Sequence, residues 1–436
     1  MSIATPGRST AVSPEAPASY QGPLAVVTTL FFMWGFLTCL NDILVPHLKS
    51  IFDLNYTQVM LIQFAFFGAY FIFSIPSAKI IDWLGYQRSM VLGLLTMGAG
   101  AFLFVPAASV PSYPLFLMAL IVLAAGITCL QVAANPYVTV LGKPQTASSR
   151  LNLTQAFNSL GTFLAPFFGG LLILSSAPKA MNEIRALAPD ALQAYRVHEA
   201  ATVKTPYVGL GITLVLLAVA IGSFKLPKIP QAQRNLGEKV DDSIWRHPNL
   251  IFGAIGIFVY VGAEVAIGSF LVNYFSQPDI GGLTEKVAAS FVAFYWGGAM
   301  VGRFIGSGLL QKMNTGRLLG ICAVCAAALV AISMISTGHF AMWSIILVGF
   351  FNSIMFPSIF TLGVAELGPL TGDGSGIMIM AIVGGAIIPL VQGAIADRVG
   401  IHHAFFLPVI CYLYILFFAL SGSKPNSERR APGERN

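Results

Sequence analysis

The chain has 436 residues, of which 56% are hydrophobic and only 10% charged, with 33 phenylalanines. Soluble domains carry about 25% charged residues, so this composition excludes a water-soluble globular protein and points to a polytopic membrane protein. Lysine and arginine exceed aspartate and glutamate 24 to 18, but they are scattered over short segments without a dense basic run, and no nucleic-acid partner is expected. The five cysteines fall inside apolar runs, and Cys322 and Cys325, a CxxC without a second pair or a nearby histidine, read as packing residues.

Residues 1–23 are small, polar and proline-bearing and read as a disordered cytoplasmic tail. A bilayer-crossing helix needs about 20 mostly apolar residues. The first such window is 24–48, and within it FFMWGFLTCLNDILVPHLK places Asn41 and Asp42 in an apolar run. On a helix Trp34, Thr38, Asn41 and Asp42 share a face toward the bundle interior. No cation lies nearby in the sequence, and a poorly hydrated carboxylate without one can take up and release a proton near neutral pH. The competing reading is a hydrated or capping aspartate near the outer end of the helix.

Windows 58–81 and 88–106 are the second and third spans. Between them Asp82, Trp83, Gly85 and Arg88 form a short D-x-x-G loop, with Lys312 and Arg317 at the matching place in the second half. Asp82, Arg88, Arg303 and Arg317 are therefore candidates for a cytoplasmic gate that clamps one bundle on the other. The plainer account of such loop charges is that they hold the loop inside. The fourth window, 113–141, carries Thr128, Gln131, Asn135 and Thr139 at helical spacing, and Pro136 predicts a kink and a freed backbone carbonyl nearby. The fifth, 152–175, adds Asn152, Gln155, Asn158 and Thr162. Uncharged amides that both donate and accept suit a neutral polyol, though any one of them could instead bond a neighbouring helix. An outer loop near 176–205 leads to the sixth window, 206–225.

The polar stretch 226–247 reads as a cytoplasmic linker between two six-span bundles, 24–225 and 248–421. The seventh window, 248–275, contains a second intramembrane carboxylate, Glu264, followed by Ser269 and Asn273. It is a proton-coupling candidate like Asp42, unless a cation from another helix pairs with it. The eighth window, 287–310, has Tyr295 and Trp296, and the tenth, 340–366, has Asn352; with Asn273 they complete an expected site of aromatic faces and amides. The ninth, eleventh and twelfth windows are 316–336, 374–396 and 402–421, and a cytoplasmic tail, 422–436, follows. With the N-terminus inside, most of the lysines and arginines lie on the cytoplasmic side, as do both termini.

The two halves resemble each other. FFGAYFIFSIPSAKIIDWLGYQR (66–88) aligns without a gap on YWGGAMVGRFIGSGLLQKMNTGR (295–317), and GxxxxPxxxG recurs as Gly161, Pro166, Gly170 and as Gly384, Pro389, Gly393. Duplicated six-span units point to a carrier with its site near the midplane between repeats. Small residues such as Gly297, Gly298, Gly302 and Gly306 let spans approach closely. A membrane enzyme would want a nucleophile or metal cluster, and the six histidines show no HExxH spacing. A sensor would want a soluble output domain, and no inter-span segment is long enough for one.

The segments WGFLTCLNDILVPHLK, QVAANPYVTVLG, RLNLTQAFNSLGTFLAPFFGG and YVGAEVAIGSFLVNYF together resemble the fucose, galactose and glucose proton symporter family of the major facilitator superfamily, over about residues 24–421. The resemblance implies an all-α, twelve-helix carrier in the bacterial inner membrane. It would import a neutral monosaccharide with a proton and have no cofactor beyond that coupling ion. The expected partners are sugar and membrane lipid, and the expected state is a monomer. A sugar uniporter or a sodium-coupled symporter is the alternative. By motif, Asp42 matches the family's proton-binding aspartate, and Asn158, with Gln155 before it, a sugar-contacting segment. Fucose permeases open the fourth-span motif with glutamate where this chain has Gln131, which cannot titrate. That places the chain nearer the glucose/galactose or N-acetylglucosamine branches and raises Glu264 as a replacement carboxylate. Asn41, Gln131, Asn135, Gln155, Asn158, Asn273, Trp296 and Asn352 are thus the expected substrate contacts.

Overall fold

A computed structural model describes residues 20–52, 56–109, 112–172, 187–202, 204–228 and 242–425; within these, the side chains of 38, 40–61, 63, 166–172, 193, 196 and 199–202 are not described. The described residues are helical, connected by turns, as a bilayer requires, since every backbone polar group must be satisfied inside its own segment. The first span is Gln21–Phe52 and the fifth Ala147–Leu172. The second and third run as Tyr56–Ser109, broken at Gly85, whose φ of 75° is a conformation that a side chain disfavours. The fourth is Tyr113–Val140, the sixth Lys204–Ser223, the seventh Pro248–Phe275, the eighth Glu285–Leu309 and the ninth Thr315–Ile335.

Three spans depart from the sequence windows. The tenth is two helices, Gly338–Asn352 and Met355–Gly363, and the eleventh is Thr371–Met380 and Gly384–Val399 joined by a tight turn at 381–383. Hydropathy averaged over a window is blind to such breaks because the flanking residues are apolar, and Asn352 and Ser353 at the tenth-span break are too few to lower it. The twelfth runs as Ile401–Ala404 and Phe406–Phe417 and ends in a π-turn at Phe418–Gly422. The connection between the fifth and sixth spans also holds a helix, Pro189–Thr202, with proline in its first turn followed by Asp190, both favourable at a helix start.

The internal repeat is visible in the packing. The ungapped alignment sets Gly85, which breaks the second span from the third, opposite Asn314, whose side chain caps the ninth by accepting from the Arg317 backbone N–H at 3.1 Å. Gly161 brings the fifth span against the Phe32 carbonyl of the first, and Gly384 brings the eleventh against the Phe258 carbonyl of the seventh. A Cβ at either would strike that oxygen. Packing of this kind, rather than hydrophobic expulsion, holds helices together in lipid. Gly302 and Gly306 likewise face Phe350, Ser353 and Ile354 of the tenth span, whereas Gly297 has open space beside it.

Gly384→Ala should therefore lower the melting temperature of the purified protein, by the equivalent of about 1–3 kcal/mol for overpacking. Gly297→Ala should leave it unchanged. Equal effects at the two positions would contradict the close approach.

Candidate functional site

Between the halves lies a cavity of about 150 Å³, roughly five water molecules by volume. Trp34, Phe66, Phe67, Tyr70, Gln131 and Gln155 line it from the first bundle, and Tyr260, Glu264, Arg303, Phe356, Pro357 and Ile382 from the second. Each half contributes four spans, the first, second, fourth and fifth and their repeat partners. Phe356, Pro357 and Ile382 sit at the breaks in the tenth and eleventh spans, so the discontinuities bend the chain around the cavity. The first-bundle wall is amide and aromatic, and Gln131 donates to the Tyr70 hydroxyl at 2.6 Å. The charged side chains of the lining, Glu264 and Arg303, both come from the second bundle.

Glu264 is held by a buried network. The Tyr260 hydroxyl donates to its Oε1 at 2.8 Å and lies 3.1 Å from the Asn352 carbonyl. Asn352 donates from Nδ2 to the Tyr295 hydroxyl at 2.9 Å and accepts from the Tyr412 hydroxyl at Oδ1, 2.8 Å away. Three tyrosines and one amide, all at most 1% exposed, fix the floor on which the carboxylate stands. Arg303 acts on Glu264 electrostatically and reaches across the halves to the Ser159 hydroxyl of the fifth span. Arg303 of the eighth span thus lines the same cavity as the second intramembrane carboxylate and acts on it through space, while its guanidinium bonds Ser159.

The other expected site residues divide. Asn41 and Asp42 lie in the first helix, but their side chains are outside the described residues. Gln131 and Gln155 reach the cavity. Asn158 donates to the Phe31 carbonyl at 2.8 Å and Thr162 to that of Gly35 at 3.3 Å, tying the fifth span to the first. Asn152 donates to the Arg303 carbonyl. Asn135 is fully buried outside the cavity lining, with neither amide atom bonded to protein.

Asn352 supports the cavity from behind instead of lining it. Asn273 is exposed near the end of the seventh span, and Trp296, 43% exposed, packs beside Gly268. Neither lines this cavity, because helical spacing gives a face but not which neighbour covers it. The aromatic wall comes instead from Phe66 and Phe67, which the repeat sets opposite Tyr295 and Trp296, and from Trp34 and Phe356. The repeat alignment carried that signal, since Phe67 is the partner of the residue expected there.

The expected gate is also redrawn. The halves are latched by Lys79 and Asp373, with Nζ 2.7 Å from Oδ1, and Asp82 stands 3.9 Å from the same Lys79. Arg88 and Arg317 are exposed, and Arg303 is in the cavity. Extending the fifth–eleventh span repeat back eleven residues sets Asp373 opposite Arg150, an ionisable pair of positions that flags this end. Around it, Ser148 bonds Thr361 at 2.6 Å and Ser149 donates to the Ser307 carbonyl at 2.7 Å. Ser375 donates to the Val132 carbonyl at 2.8 Å. Val132 is four residues before Pro136, so its oxygen is the one the proline frees, and the eleventh span uses it to close onto the fourth.

Two repeats of six spans, broken helices at a central cavity and a latch at one end define a carrier built for alternating access. The chain belongs to the Major Facilitator Superfamily, whose family model matches residues 26–382. It is 54% identical over 406 residues to a glucose/galactose transporter of Brucella abortus, covering 93% of this chain and 95% of that one. It superposes on a crystal structure of the E. coli fucose:proton symporter FucP with a TM-score of 0.86, 36% identity and coverage of 92% and 98%. A structure of FucP in the outward conformation gives 0.84, 35%, 92% and 99%. The protein is a multi-pass membrane transporter and not an enzyme.

Asn352→Ala would strand buried tyrosine hydroxyls, each costing about 1–3 kcal/mol, and release the floor under Glu264. It should lower both the melting temperature and the transport rate, whereas Asn273→Ala, at an exposed position, should change neither. Thermal unfolding and uptake by the two variants check this.

Proposed function

We propose that the protein is a proton-coupled symporter that imports a neutral monosaccharide of the glucose/galactose type across the bacterial inner membrane. The observation that carries this reading is the composition of the cavity: two glutamines, two tyrosines and four further aromatic rings around one carboxylate and one guanidinium. Aromatic faces stack on the C–H surface of a sugar ring, and amides and hydroxyls donate to and accept from its hydroxyls. A fixed net charge in the lining would favour an ionic solute; an internally compensated pair does not. The names of the relatives, a glucose/galactose transporter and a fucose:proton symporter, support the same substrate class.

In this mechanism, Asp42 and Glu264 are the groups that exchange protons. Gln131 bonds Tyr70 and cannot titrate, so a carboxylate elsewhere must couple proton to sugar. Glu264 stands in the same cavity with Tyr260 as donor and Arg303 as counter-charge. Its charge state then decides whether Arg303 is held within the second bundle or reaches Ser159 across the interface. Sugar closes the cavity around itself, the latch at Lys79–Asp373 and Ser375–Val132 opens, and the load faces the cytoplasm. The exposed ion pair contributes only about 0–1 kcal/mol, small enough for such a latch to be reversible.

Asp42→Asn and Glu264→Gln should each abolish uphill accumulation of radiolabelled glucose or galactose in cells lacking their own hexose carriers, while sparing exchange of internal for external sugar. Unchanged accumulation removes the residue from coupling. Accumulation by the native protein that survives collapse of the proton gradient in sodium-free medium overturns proton symport.

A further inference from the structure

Asn135 carries an amide that the packing of the closed protein leaves unused. It is 0% exposed, and among the described residues neither its Nδ2 nor its Oδ1 has a hydrogen-bond partner. Interior amides of membrane helices commonly tie one span to another, as Asn158 and Asn152 do here. Asn135 ties nothing. We infer that it is a second sugar-binding position, one helical turn from the central cavity toward the latched end, covered while the latch is closed and uncovered in the inward-facing state. This rests on the sugar-carrier reading above and adds where the sugar is held on its way out.

The direction of the side chain follows from its neighbours. At 3.6 residues per turn, position 135 lies about 40° around the fourth span from Gln131 and roughly 6 Å along it toward the latched end. Gln131 lines the cavity, whereas Cys129 and Leu130, on the far side of the helix, meet Ser89 and Gly93 of the third span. Asn135 therefore faces the path and not the bundle core. What covers that face is the first helix of the eleventh span, Thr371–Met380. Ser375 donates to the Val132 carbonyl at 2.8 Å, and Gly376 sits against Ala78 and the Ser74 carbonyl of the second span.

The internal repeat points the same way. QxxxxPxxxxLG, from Gln131 to Gly142, recurs as NxxxxPxxxxLG from Asn352 to Gly363, which pairs Gln131 with Asn352 and Asn135 with Phe356. Each half shows the cavity one position of this set, Gln131 in the first and Phe356 in the second. Position 135 is thus one that the fold can bring to the wall.

An amide that donates and accepts can bond two hydroxyls, or a hydroxyl and a ring oxygen, without favouring a charged solute. When the eleventh span swings away, the Val132 carbonyl, which Pro136 deprives of its helical N–H partner, loses Ser375 and stands on the same wall. A neutral polyol leaving the cavity then supplies the partners that the amide lacks. Because unpaired burial raises the energy of the closed state, Asn135 also biases the carrier toward opening inward.

The test compares right-side-out and inside-out vesicles holding the full-length protein, with radiolabelled glucose or galactose and no proton gradient. Asn135→Leu, which nearly keeps the volume and removes the amide, should raise the half-saturating concentration at the cytoplasmic face about tenfold and leave that at the outer face unchanged. Gln131→Leu, in the cavity, should raise both. The melting temperature of Asn135→Leu should equal or exceed that of the native protein, since no bond of the closed state is lost. Asn135→Cys should be labelled by a membrane-impermeant maleimide from the cytoplasmic face, above the background of the native cysteines, and sugar should protect it. Equal shifts at both faces, no shift at either, a lower melting temperature with unchanged half-saturation, or no cytoplasmic labelling of Asn135→Cys would overturn the inference. If the native protein carries neither sugar, the functional reading fails, and the labelling still decides whether position 135 joins the path.

Discussion

The constraint on which the structure turns is the cost of placing charge at bilayer depth. Glu264 and Arg303 are tolerated there because they line one cavity with opposite charges, Glu264 standing on hydrogen-bonded tyrosines and Arg303 bonded to Ser159. Charged residues in such places face cavities and mark pathways for ions and substrates. Everything around the pair serves to keep lipid away from it: eight spans wall the cavity, and the breaks in the tenth and eleventh spans are admissible because they lie in protein interior and not in hydrocarbon.

The same economy explains where the halves meet. Contacts at the latched end are mostly single hydrogen bonds from serine and threonine, several to backbone carbonyls, with one exposed ion pair. None is strong alone, and each can be exchanged for water as the halves separate. Inside a bundle the contacts differ in kind. Glycine surfaces such as Gly161 on Phe32 and Gly384 on Phe258 allow backbone-to-backbone approach, which tolerates no substituent. Rigid bundles joined by a soft interface are what a rocking motion requires.

Much of this was legible in the sequence. Span number and order, the repeat, the paired GxxxxPxxxG approaches, the carbonyl freed by Pro136, and the inward position of Gln131, Gln155 and Glu264 all follow from periodicity and residue chemistry. What was not legible depends on neighbours distant in the chain. Asn158 and Asn152 satisfy backbone of other spans, Asn352 underlies the cavity, and Trp296 packs outside it, although each has the chemistry of a ligand contact. Lys79 and Asp373 are 294 positions apart, and no local pattern pairs them. The breaks in the tenth and eleventh spans escape hydropathy because a bent apolar segment scores like a straight one.

The account stands or falls on movement of charge with a neutral solute. In proteoliposomes holding the purified protein on a solid-supported electrode, with sodium absent, a jump in external glucose or galactose should produce a transient current carried by positive charge in the direction of sugar entry. It should be accompanied by acidification of the lumen. Sugar entry without current or acidification would contradict it.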